Sequence, residues 1–180
     1  MTPQELLDFW FDPVNRHCWF RSSPEFDQLI RERFESIWRA ARNGRCDAWA
    51  ESPQGALALV ILLDQLPLNM YRGQPLSFAT EERSRQVASG ALRAGFDRAL
   101  PAEQLAFLFI PFMHSETLSD QDRSVALFEQ AGLAENLHWA RHHREVIRRF
   151  GRFPHRNAIL GRQSSEEEAL WLNSEAGFKG

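Results

Sequence analysis

Three stretches of the 180-residue chain carry side chains of the kind that bind ligands or move protons, and each interrupts an otherwise helical pattern. They are Leu63-Asp64-Gln65-Leu66-Pro67-Leu68-Asn69-Met70-Tyr71-Arg72-Gly73, then Pro111-Phe112-Met113-His114-Ser115-Glu116, and Phe150-Gly151-Arg152-Phe153-Pro154-His155-Arg156-Asn157 with Leu160-Gly161-Arg162. His114 and Glu116 set an imidazole two residues from a carboxylate, a pairing suited to general acid–base work because histidine titrates near neutral pH and a neighbouring acid tunes it. His155 and Asp64 complete the catalytic candidates. A buried hydrogen-bond network is the competing reading of the same groups. Asp64 follows the apolar run Ala56 to Leu63, and Pro67 is expected to stop that helix. A carboxylate at a helix C-terminus opposes the dipole, so it calls for a cation (Arg72, His114, His155 or Arg156) or caps the turn from Pro67 to Gly73.

The segment from His138 to Arg162 holds seven arginines against the single acid Glu145. Arginine grips carboxylate or phosphate with two parallel hydrogen bonds, a use open to Arg152 and Arg156. Nucleic-acid binding is the other use of such a face, but no recognition module accompanies it and Glu166-Glu167-Glu168 follows closely. His138, His142 and Glu145 share a helix side without HExxH or a companion cluster, so no metal site is assigned, while His143 points to the apolar side as a core histidine. No motif calls for a cofactor.

The elements that would position these groups are legible from their caps. Thr2-Pro3-Gln4-Glu5 is a capping box with proline at the first helical position, and Asp12-Pro13 should end that helix. Ser23-Pro24 opens a second helix, which runs to Gly44 with Phe26, Ile30, Phe34, Ile37 and Trp38 at helical spacing. Ser52-Pro53 opens a third, apolar on every side and therefore central. Thr80 caps a fourth, to Gly95; Pro101 begins a fifth that Pro111 breaks or kinks; Ser119-Asp120 caps a sixth, to Gly132. A seventh spans Leu133 to Phe150, and Ser165 with Glu168 boxes a last one near Ala169 to Asn173. These features predict an all-α single domain over residues 1–180, about eight helices in antiparallel pairs.

A net charge of −3 gives no global attraction to nucleic acid. Cys18 and Cys46 lack disulfide-framework or zinc spacing and read as reduced thiols. No stretch approaches the roughly 20 apolar residues that cross a bilayer, and Glu5 and Asp8 stand where a signal peptide would be basic. The expected location is cytoplasmic, without membrane contact.

The three stretches, together with Asp8-Phe9-Trp10-Phe11, Phe78-Ala79-Thr80 and Gln121-Asp122-Arg123-Ser124, resemble the bacterial family called domain of unknown function 924. That family carries arginine where this chain has Leu68. The resemblance implies a tetratricopeptide-like helical array and no established activity. The resulting expectation is a protein of unknown function whose polar pocket, formed by Asp64, Gln65, Asn69, Arg72, His114, Glu116, Arg152, His155, Arg156 and Asn157, takes a small anionic molecule or an acidic peptide end. The rival expectations are a hydrolase with His114 or His155 as base and Glu116 or Asp64 orienting it, and a protein-interaction module. For the latter, Trp10, Phe11, Trp19 and Phe20 would supply an apolar patch. Oligomeric state is not readable from these residues.

Overall fold

The computed structural model describes residues 1–174 and 177. Among them are eight α-helices and no strand: α1 (Pro3–Trp10), α2 (Pro24–Arg42), α3 (Pro53–Met70), α4 (Glu81–Arg93), α5 (Ala102–Met113), α6 (Leu118–Gln130), α7 (Ala134–Phe150) and α8 (Glu166–Leu172). No described helix is long and apolar enough to cross a membrane. Contacts group the chain into two compact units, the first being Met1–Arg72 with Leu76–Pro111, the second Gly73–Pro75 with Phe112–Gly180.

In the first unit, helix starts follow from local chemistry. Thr2 and Glu5 form the reciprocal capping box, and the Ser23 and Ser52 hydroxyls accept from Phe26 N and Gly55 N. α3 is the central element: every residue from Gly55 to Pro67 is buried, and α1, α2 and α4 all pack on it. Gly55 is required by closeness, since a Cβ there would meet the Trp49 carbonyl oxygen at 2.1 Å.

α3 does not stop at Pro67 but runs on to Met70, which leaves Asp64 inside the helix rather than at its end. A proline removes the donor for the carbonyl four residues back, here Leu63. The Thr80 hydroxyl donates to that carbonyl and accepts from the Trp38 indole N–H at 3.2 Å. All three residues are buried, so the substitute bond restores what Pro67 takes away. Thr80 is consequently not the side-chain cap expected for α4; its hydroxyl is used on α3 instead.

α5 likewise continues through Pro111 to Met113, so His114 follows the helix directly. In the second unit the Gln121 side-chain amide donates to the carbonyls of Met113 and Ser115, each at 2.7 Å, satisfying groups at that helix end. The expected Ser119-Asp120 cap of α6 is displaced: the helix begins at Leu118 after Thr117, and the Asp120 carboxylate accepts from the Ser115 hydroxyl instead. α6 packs on α7, which ends at Gly151 in the left-handed region (φ 70°), and the chain then turns through a short 3₁₀ segment, Pro154–Arg156, that packs on α8. Val146, Ile147, Phe153 and Trp171 form an apolar cluster of this unit, and Ser165 with Glu168 boxes α8.

Candidate functional site

The polar groups of the first unit gather on a carboxylate that the sequence reading overlooked. Asp27, in the first turn of α2, accepts from the Ser22 hydroxyl at 2.6 Å and Asn69 Nδ2 at 2.7 Å, and Arg72 grips it through Nε at 2.7 Å and a second nitrogen at 3.2 Å. Burial works to raise its pKa, but these donors outweigh burial and hold it below the ordinary aspartate value. Arg72, one of the cations proposed for Asp64, is thus engaged with Asp27. Asp64 is buried, and its Oδ2 accepts from Gln65 Nε2 at 2.6 Å. Nearby, the Tyr71 hydroxyl donates to Glu35, which also pairs with Arg39; burial and then Glu35 push the phenol up to about 12.

In the second unit the functional groups arrange around Phe153, whose own side chain belongs to the apolar cluster. Its ring is approached by His143 (centroids 5.4 Å apart), by His155 (5.5 Å) and by the Arg156 guanidinium (4.7 Å). Its backbone N–H donates to Glu116 at 2.8 Å, and its carbonyl accepts from Arg162 at 3.2 Å. Arg162 also holds both oxygens of Glu116, at 2.7 and 2.9 Å. Burial tends to raise the Glu116 pKa, yet the Arg162 guanidinium and the Phe153 N–H bring it below the usual range. The turn is fastened a second time by Arg152, which binds both oxygens of Glu168 at 2.6 and 2.8 Å. Arg152 first, helped by the Ser165 N–H and Asn157, pulls the Glu168 carboxyl down to about 2. Asn157 also donates to Ser164 at 3.1 Å.

His143 and His155 are neutral at ordinary pH. Burial lowers His143 to about 3 against the opposing effect of its Nδ1 bond to the Trp139 carbonyl, with His114, His142 and His155 adding to the fall. Burial, then Arg156 and His114, lower His155 to about 4, although Glu116 pulls the other way. His114 therefore lies close enough to both rings to be felt electrostatically.

Residues 6–176 match the family described as "Bacterial protein of unknown function (DUF924)". The chain belongs to the DUF924 family. It is also similar to a solved structure from Agrobacterium tumefaciens described as a protein of unknown function, with 37% identity and a TM-score of 0.90 over 95% of this chain and 96% of that one. No curated protein matches.

In this DUF924 protein, the expected site residues divide between the units. Asp64, Gln65, Asn69 and Arg72 belong to the first; His114, Glu116, Arg152, His155, Arg156 and Asn157 belong to the second. Several are committed to structure: Asn69 and Arg72 to Asp27, Glu116 to Arg162 and Phe153, and Arg152 to Glu168. Glu116 thus holds a guanidinium and a backbone N–H, an arrangement that gives no support to its orienting a catalytic imidazole. His155, at about 4, is a weak base for work near neutral pH. His143 was read as a core histidine and Arg162 only as part of a motif; both prove to be members of the Phe153 cluster.

Two other sequence features also resolve into packing. Along α7, Arg141, Arg144, Arg148 and Arg149 face Glu129, Asp122, Glu145 and Glu167. Trp10 is buried against Phe107, and Phe11 and Trp19 pack edge-on to the same ring, leaving Phe20 exposed beside it.

Proposed function

We propose that this chain is a helical binding protein for a small oxyanion-bearing molecule, a carboxylate or a phosphate, held around Phe153 by His114, His155 and Arg156. The observation that carries the reading is the gathering of imidazole and guanidinium groups about one apolar ring while the nearby carboxylate, Glu116, is already bound by Arg162 and the Phe153 N–H. A guanidinium and imidazole N–H groups in a partly dry setting form strong bonds to oxyanions. The two ion pairs that fasten the turn, Glu116 with Arg162 and Glu168 with Arg152, keep these donors in place before any ligand arrives, which lowers the ordering cost of binding.

Calorimetric titration with inorganic phosphate, sulfate, succinate and a peptide ending in glutamate tests this, with Arg156→Lys and His155→Gln as partners. Saturable binding by phosphate or succinate, weakened in both variants, is the expected result. If all four probes leave a folded protein without heat of binding, the reading fails.

A further inference from the structure

The Phe153 cluster has a property that an ordinary basic site lacks. His155 shares the Phe153 ring with His143 on α7, at centroid distances of 5.5 and 5.4 Å, and with the guanidinium of its neighbour Arg156 at 4.7 Å, and it lies within electrostatic reach of His114 after α5 and of the bound pair of Arg162 and Glu116. An imidazole set among other basic groups has little room for a charge of its own, because each neighbouring positive charge and each lost water raises the cost of its protonated form. An oxyanion placed among the same groups reverses the balance, since it offers the opposite charge at hydrogen-bond distance where the dielectric is low.

We propose, resting on the anion-site reading above, that an oxyanion entering this cluster brings a proton with it, taken from solvent onto the unprotonated ring nitrogen of His155. Binding then converts a neutral imidazole into an imidazolium paired with the ligand, and the site admits oxyanions more readily as pH falls. The ligand class that follows is a molecule still anionic at mildly acidic pH, such as a di- or tricarboxylate or a phosphate ester. The depressed titration of His155 in the unliganded protein supports this, because the proton has yet to be taken up near neutral pH. Linkage makes the consequence measurable: a site that gains one proton on binding gains affinity by at most about tenfold for each pH unit below the liganded pKa.

Sulfate is the probe of choice, since it keeps both charges across the working range and brings no proton of its own. The experiment follows the histidine ring resonances of isotope-labelled protein from pH 8 to 4 with and without saturating sulfate, each ring being assigned through its own backbone so that no substitution is needed. The expected result is an upward shift of the His155 midpoint by at least about two pH units, with sulfate affinity at pH 5.5 at least about fourfold that at pH 8. If sulfate binds saturably while the His155 midpoint stays put, or if the shift falls on His114 or His143 instead, the proton uptake assigned here is overturned and the anion site stands. If sulfate, phosphate and succinate all leave the spectrum unchanged, the anion site itself falls, and the proton coupling falls with it.

Discussion

The Asp27 network of the first unit and the Phe153 cluster of the second are built from similar side chains on opposite plans. Asp27 puts the acid at the centre and surrounds it with Ser22, Asn69 and Arg72, so charge and hydrogen bonds close on themselves. The second unit puts an apolar ring at the centre and brings imidazoles and a guanidinium to its faces, while the acids Glu116 and Glu168 are drawn off to fasten the turn. The first plan fits a brace between helices. The second fits a place where an anion is received.

The sharpest way to probe the self-contained character of the first unit is Thr80→Val. It leaves the Leu63 carbonyl and the Trp38 indole buried without their partner, and each loss costs about 1–3 kcal/mol, so chemical denaturation should show about 3 kcal/mol of destabilisation. Adding Pro67→Ala restores a backbone N–H to α3, and should recover about 1 kcal/mol only in the Thr80→Val background. Equal effects of Pro67→Ala in both backgrounds would mean that Thr80 is not the substitute donor.

Acid should separate the two plans next. For a histidine whose folded pKa lies below its unfolded value near 6.5, the unfolded chain binds more protons in between, so stability is full above about 6.5 and falls as pH drops toward the folded pKa. With His143 at about 3 and His155 at about 4, the second unit loses up to about 1.4 kcal/mol per pH unit for each below 6.5. Asp27 and Glu35, depressed carboxylates, contribute stability that persists until pH falls below about 4. Hydrogen exchange at pH 7.5 and 5.5, corrected for the intrinsic rate, should show α7 losing about 2 kcal/mol of protection while α2 and α3 change little. Equal losses in both would erase the distinction.

Smaller effects sharpen the contrast. Asp27→Asn keeps the shape but removes the charge that Arg72 grips, and should cost about 1–2 kcal/mol at pH 7 and progressively less as pH falls below about 4, measured by urea unfolding. Glu116→Gln should cost about 1 kcal/mol, since Arg162 is partly solvated, but should loosen the turn that carries His155 and so weaken phosphate or succinate binding more than it weakens the fold.

What the sequence disclosed divides along the range of the interactions. The helix starts at Pro3, Pro24, Pro53 and Glu166 were legible because a cap is satisfied within three residues, by Thr2, Ser23, Ser52 and Ser165. The continuation of α3 past Pro67 was not, because its cause is a hydroxyl 13 positions further along the chain, and no local pattern reveals that Thr80 reaches back to Leu63. Asp27 escaped for a related reason: an acid in the first turn of a helix is already explained by the dipole, so nothing in the string marks it as a hub. The third stretch was recognised as basic and polar, and its residues do meet around Phe153. The distribution of its acids, however, with Glu116 going to Arg162 and Glu168 to Arg152, depended on pairings 46 and 16 residues apart.

The decisive measurement is the titration of His143 and His155 in the unliganded protein, followed ring by ring by NMR. The arrangement around Phe153 predicts that both stay neutral through pH 5, with His155 protonating near 4 and His143 near 3. Midpoints near 6.5 for both would mean that these rings are solvated and ordinary, and would contradict the cluster on which the binding role depends.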